Sequence, residues 1–367
     1  MSIYLQIIAA TLILGAIMPQ KGRERIYYIA VMTAIMLFIC VFRYNHLTGD
    51  LMKYHAMFLD SDSYGWFSEE IIQEGRNSGF QLFTKLICEL SNADFQVYLA
   101  VLSIISYLIL AYIIYRYSPA PWMSFLVWSC MGMFIFSLTS IKQAFAMAFV
   151  MLAFIGIAEN RLSIYLFSML IAGFIHAPAL IFLPAYWLTK MRVNRNTIFF
   201  YLLLGFLMYT FKDQFVALVS SFYYEDDEVM IYSGDLGGRF IMLLGFTLFG
   251  VLLKGFPNRD HEKLFHIMAI ATILQMLSGY DNVFTRLTDY YFQFSVLYIP
   301  MVFFPSDSNP QRSPIQAVFP FNERSLKALA ILIALFMMWF YYTYSINITI
   351  AYEVDNYLNF RFMWDVP

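Results

Sequence analysis

Residues 95–116, FQVYLAVLSIISYLILAYIIYR, carry no charge until the last position. A helix needs about 20 apolar residues to cross a bilayer, and this run supplies them. Reading outward gives eleven more apolar runs, at about 2–18, 26–43, 122–139, 141–158, 162–175, 177–189, 197–211, 239–255, 264–280, 287–304 and 326–345. The expected fold is all-α: a polytopic integral membrane helix bundle of about 12 transmembrane helices, with residues 1–367 forming one membrane domain. Composition agrees. The chain is 60% hydrophobic and 13% charged, whereas soluble domains run near 45–50% and about 25%. That excludes a soluble enzyme or a disordered tail, and a net charge of −2 gives nucleic acid nothing to grip.

Cys40, Cys88 and Cys130 show neither a CxxC nor a paired spacing, so no disulfide framework or metal site is expected from them. The opening Met1-Ser2-Ile3-Tyr4-Leu5 has no basic residue ahead of its apolar run, so it reads as a retained first span. Alternating the loops puts fourteen of the 23 Lys and Arg on one side. The positive-inside rule makes that side cytoplasmic and places both termini outside. Nineteen of the 25 acidic residues fall on the other side, together with the long loops at about 44–94 and 212–238. Function is therefore expected at the outer face. In the first of these loops Phe80, Phe83, Leu86, Ile87 and Leu90 recur at helical spacing opposite Gln81, Thr84, Lys85 and Glu89, which predicts an interfacial amphipathic helix. Trp66 and Phe67 mark a second candidate anchor.

Ionisable groups near or inside a bilayer are costly and mark functional positions. Arg43, Asp50, Tyr54 and His55 cluster just past the second span, with Asp50 and Tyr54 one helical turn apart. Two readings of this cluster stand: a site, or a snorkelling Arg43 with Asp50 as a helix cap. Lys142 and Gln143 open the fifth span ahead of Ala144, Ala146 and Ala148, small residues that admit close packing. His176 stands alone between apolar runs, so it suits structure or catalysis equally and is a poor start for a metal site. Arg286, Asp289, Tyr290 and Gln293 make one polar helix face, with Asp289 the natural partner of Arg286. Arg239 opens the ninth span. The cations Arg43, Lys142, Arg239 and Arg286 all fall where a span meets the outer interface, the depth at which a lipid-linked diphosphate presents its charge.

The run Phe42-Arg43, Gly49-Asp50, Tyr54 and Phe58 resembles the R…GD…Y…F opening of the EpsG family of exopolysaccharide, capsule and O-antigen synthesis proteins, grouped with Wzy-type polymerases. Ser78-Gly79-Phe80 is similar to that family's E-x-G-[FY] element, with Glu74 displaced, and Lys142-Gln143-Ala144-Phe145-Ala146 to its R-Q-x-x-A element, with lysine for arginine. His176-Ala177-Pro178-Ala179-Leu180 resembles H-x-S-A-[LI], and Arg286 with Tyr290-Tyr291 a late R-x-x-x-Y pattern.

The resemblance implies a metal-independent glycosyl-transferring polymerase that joins undecaprenyl-diphosphate-linked glycans, with membrane lipid around it and a chain-length regulator as partner. It needs no cofactor. Arg43, Lys142 and Arg286 would neutralise the leaving diphosphate, with Gln143 and Arg239 as further substrate contacts. Asp50 or His176 would be the general base, and Tyr54 and Tyr290 would orient sugar or phosphate. The rival reading is a lipid-linked oligosaccharide flippase or an exporter. That function calls for polar residues spread through the membrane depth rather than gathered at one face.

Overall fold

The computed structural model describes residues 3–45, 49–68, 78–223, 236–254, 259–304, 323–351 and 360–364. Among them every regular element is a helix, apart from one isolated bridge between Arg43 and Phe362. In order the helices are α1 (Ile3–Ile17), α2 (Arg25–Val41), α3 (Gly49–Ser63), α4 (Ser78–Ser91), α5 (Phe95–Tyr117), α6 (Pro121–Cys130), α7 (Met133–Thr139), α8 (Ile141–Ala158) and α9 (Leu162–Ile175). A 3₁₀ turn (Ala177–Phe182) leads to α10 (Ala185–Leu188), α11 (Arg195–Thr210), α12 (Lys212–Tyr223), α13 (Gly238–Lys254), α14 (Arg259–Gln275), α15 (Asn282–Phe292), α16 (Ser295–Phe303) and α17 (Glu323–Ala351).

The chain divides into two compact units. The first holds Met1–Gly156, Ser163–Leu180 and Met338–Pro367; the second holds Ile157–Leu162 and Ile181–Met337. In the first unit α2 packs along α5. Tyr28, Met32, Met36, Ile39 and Cys40 make the buried stripe of α2, facing Tyr98, Leu102, Tyr107 and Leu110 of α5, the period a one-sided helix requires. Asp94 caps α5 by accepting from Gln96 N at 2.8 Å and Val97 N at 3.3 Å. The second unit is built around α14, which is buried on nearly every side and packs against α11, α13, α15 and α16.

Several helices leave apolar side chains outward. Leu166, Phe167, Leu170 and Phe174 do so on α9, and Phe199, Leu202 and Phe206 on α11. Stripes of this size are a liability in water and carry no cost against lipid tails, as expected of a helical membrane protein. Among the described residues two helices, α5 and α8, are each long and apolar enough to cross a membrane, and the bent pairs α6–α7 and α11–α12 raise that to four.

The expected runs map onto helices with physical interruptions. Run 122–139 breaks at Gly132, whose φ of +78° belongs to glycine, and α6 and α7 meet at 59°. Run 197–211 continues past Phe211 into α12 at 78°. Run 264–280 is helical only to Gln275, and 287–304 is two helices separated at Gln293-Phe294. Run 177–189 is the 3₁₀ turn and a four-residue helix, because Pro178 and Pro184 remove backbone donors.

The amphipathic helix is present as α4, but its buried face differs from the expected one. Phe80, Thr84, Lys85, Ile87 and Cys88 face inward against α3 and α5, while Leu86 and Leu90 are exposed. Thr84 is accommodated by a 2.9 Å hydrogen bond with the Tyr98 hydroxyl. Lys85 is accommodated by Glu89 at 2.8 Å and by donation to the Ser61 carbonyl at 3.2 Å. Trp66 lies under the Lys85 ammonium, 5.5 Å from ring centre to nitrogen. Glu74 and the acidic run Glu225, Asp226, Asp227 and Glu228 lie outside the described residues.

Candidate functional site

The buried stripe of α2 ends at Cys40, and the helix closes at Val41 with the Phe42 amide donating to Phe38 O at 3.0 Å. The next residue, Arg43, turns inward and is 1% exposed. Its guanidinium donates to the Cys40 carbonyl, one of the acceptors a helix end leaves open. Tyr107 of α5 lies within electrostatic reach of the guanidinium; its hydroxyl is 2.9 Å from that of Ser137 on α7, and the Trp128 indole donates to it at 3.4 Å. The Arg43 Nε has no hydrogen-bond partner, and no described acidic side chain pairs with this guanidinium.

Helix α4 gathers the other motif-bearing segments of the first unit. Asp50 and Tyr54, both half-buried, lie on successive turns of α3, and the Tyr54 ring meets Phe80 edge-on at 6.0 Å. Phe83 packs on Phe145 at 5.1 Å, on the first turns of α8, where Lys142 is half-buried and Gln143 buried. Gly79 lies so close to α9 that a Cβ there would fall 2.4 Å from the Phe174 carbonyl oxygen. Two residues later His176 leaves the helix: its amide donates to Ala172 O and its carbonyl accepts from Ala179 N, both at 2.9 Å. Arg43, Asp50, Tyr54, Lys142, Gln143 and His176 thus belong to one compact unit, and three of the segments that carry them touch a single short helix.

Arg239, Arg286 and Tyr290 belong to the second unit. There the expected Arg286–Asp289 pairing gives way to another. Asp289 pairs with Arg239 from α13, whose guanidinium also lies 4.2 Å above the Phe292 ring. Arg286 faces outward on α15, within electrostatic reach of Asp289. Helical spacing favours i,i+3 pairs, but a guanidinium from the adjacent helix reaches the carboxylate in a drier place, both partners being 12–13% exposed. Tyr290 is fully buried, so its ring is packed rather than displayed. Tyr291 donates its hydroxyl to Ile181 O at 2.6 Å and packs on Phe182 at 4.9 Å. The late motif therefore grips the residues that directly follow His176-Ala177-Pro178-Ala179-Leu180.

Motifs spread over some 250 residues of sequence, each weak alone, are those of one family, and the model of the EpsG family matches residues 26–361, nearly the whole chain. The chain belongs to the EpsG family. This is a Wzy-like polymerase family, so membership brings a polysaccharide polymerase-type, glycosyltransferase-like function carried out in a membrane. No curated protein and no solved structure shows significant similarity to this EpsG-family chain. Among the described residues no three His, Cys, Asp or Glu side chains stand together as metal ligands.

Sequence reasoning missed Tyr107 beside Arg43, and the Ser137 and Trp128 bonded to it, because those residues look like ordinary members of apolar runs. Cys40, whose carbonyl accepts from the guanidinium, ends the buried stripe of α2 three residues before Arg43. It also missed segment 360–364, whose Phe362 stands opposite Arg43 in an isolated bridge; the alternation of Phe360, Phe362 and Trp364 was the available signal.

Proposed function

We propose that this chain joins undecaprenyl-diphosphate-linked oligosaccharide repeat units at the outer face of the bacterial cytoplasmic membrane, in O-antigen, capsule or exopolysaccharide synthesis. The acceptor hydroxyl oxygen attacks the anomeric carbon of the donor glycan. The bond from that carbon to the diphosphate oxygen breaks, and undecaprenyl diphosphate departs with the electron pair. The hydroxyl proton passes to Asp50 or His176. Arg43, Lys142 and Arg286 hold the charge that develops on the leaving diphosphate, in place of a metal ion, with Gln143 and Arg239 as further substrate contacts. Tyr54 and Tyr290 orient sugar or phosphate, Tyr290 from a packed position. Residues 1–367 act as one membrane domain of about twelve spans, with both termini and the loops near 44–94 and 212–238 outside, served by a chain-length regulator.

The observation that carries this reading is Arg43: a buried guanidinium with an unmet donor and no described acidic partner, in a family that suggests a lipid-linked glycan as substrate. Burying a cation costs several kcal/mol unless an anion meets it, and a diphosphate is a bidentate match for arginine. The test is polymerisation by the purified protein in proteoliposomes given synthetic lipid-linked repeat units. Wild type should yield a ladder of chain lengths, and Arg43→Ala and Arg286→Ala only single units. Unchanged ladders from both variants would defeat the assignment. Unflipped lipid-linked units accumulating on the inner leaflet of a deletion strain would favour a carrier instead.

A further inference from the structure

Residues 42–44 leave α2 without a helix to hold them, yet Arg43 occupies one defined buried position. A segment more than 300 residues away supplies the hold. The Tyr44 amide donates to Arg361 O at 2.9 Å and the Met363 amide donates to Phe42 O at 2.9 Å. These two bonds form an isolated antiparallel bridge that sets Arg43 directly opposite Phe362. The bonds come from the residues flanking the pair, so 43 and 362 are the close, non-hydrogen-bonded couple of an antiparallel ladder.

Two hydrogen bonds alone make a marginal contact, and aromatic packing reinforces this one. Phe362 and Trp364 stack at 4.7 Å with planes 6° apart, and Trp364 reaches Phe42 at 5.7 Å and Phe38 at 6.1 Å. Phe362 also meets Phe38 at 5.9 Å. Each such pair adds about 0.5–1.5 kcal/mol beyond the area it covers.

We infer that segment 360–364 is a strap that positions Arg43, with Phe362 and Trp364 as positioning residues: they set where the guanidinium meets the leaving group without touching substrate themselves. This rests on the diphosphate-binding role proposed for Arg43. A cation that acts on developing charge is sensitive to placement, and an error of about 1 Å can lower a rate by about 100-fold. Such a loss appears in kcat more than in KM, because charge on the leaving oxygen grows only toward the transition state.

The test uses full-length protein in proteoliposomes with synthetic lipid-linked units, comparing Met363→Pro, which deletes one bridge donor, with Trp364→Ala and Trp364→Phe, each alone and in an Arg43→Ala background. Hydrogen exchange at the Tyr44 amide is read in parallel. The strap predicts faster Tyr44 exchange and a 10- to 100-fold fall in kcat with little change in KM for Met363→Pro and Trp364→Ala. It also predicts recovery in Trp364→Phe and no further loss in the Arg43→Ala background. Unchanged Tyr44 exchange overturns the strap. So does faster exchange with undiminished kcat while Arg43→Ala is inactive, since Arg43 would then need no positioning. Full polymerisation by Arg43→Ala overturns both the strap's catalytic role and the diphosphate reading, a pattern distinct from the other two.

Discussion

Replacing Gly79 with alanine sets two effects of opposite sign against each other. Gly79 lies in the first turn of α4, and in an isolated helix the change would stabilise by about 1 kcal/mol. Here the new methyl would lie 2.3 Å from Phe174 Cδ1 and 2.4 Å from the Phe174 carbonyl oxygen. The ring can rotate away, but the carbonyl belongs to the α9 backbone and cannot. Ordinary contact begins near 3.4 Å, so α4 must retreat by about 1 Å. Overpacking of this kind costs about 1–3 kcal/mol, which outweighs the propensity gain. The retreat also shifts Phe80 and Phe83, and with them the supports of Tyr54 and of the Lys142 turn, so polymerisation should fall by about 100-fold. Thermal melting of detergent-purified protein and the proteoliposome polymerisation assay read the two effects separately. Gly65→Ala, where the nearest atom to a new Cβ is 3.9 Å away, is the control and should match wild type. A Gly79→Ala protein with wild-type melting and wild-type ladders would refute the close-approach argument.

Removing one partner of the Arg239–Asp289 pair leaves a charge with little access to water. Arg239→Ala should destabilise by about 3–5 kcal/mol, and adding Asp289→Asn should recover most of it in a melting experiment. Gly132→Ala places a side chain at φ +78° and should cost about 1–2 kcal/mol by the same measurement. Asp94→Ala removes the cap of α5 and should cost about 0.5–2 kcal/mol, leaving the length of the polysaccharide ladder unchanged.

Helix existence was legible in the sequence because apolar runs such as 95–116 have no other stable state in lipid. Helix interruption was harder to read: 177–189 reads as one apolar run although Pro178 and Pro184 lie in it, and the break at Gln293-Phe294 has no such marker. Periodicity found α4 yet misassigned its inward face. Lys85 counts as polar in any sequence pattern, but its stem and ammonium are accommodated by Glu89, the Ser61 carbonyl and the Trp66 ring. The family motifs named Arg43, Tyr54, Lys142 and His176. They could not reveal that Gly79-Phe80 packs between their segments, since contact order is invisible in a linear pattern. The partner of Asp289 was misread for the same reason: spacing within a helix is local, and the arginine that reaches the carboxylate comes from 50 residues away.

Helix α14 has a consequence for biogenesis. Its first turns, Arg259-Asp260-His261-Glu262-Lys263, are acidic and basic in alternation, and the helix is enclosed on nearly every side by neighbours from its own unit. A segment so polar gains nothing by partitioning alone from the translocon into lipid, since each central charge costs about 2.5–3.5 kcal/mol on insertion scales. It must wait until α15 and α16, which follow it in the chain, close around it beside α11 and α13. Chains arrested during synthesis just after residue 275 should therefore leave α14 accessible to water-soluble thiol reagents at an introduced cysteine, and chains released whole should protect it. Protection already present at arrest would show that α14 enters unaided.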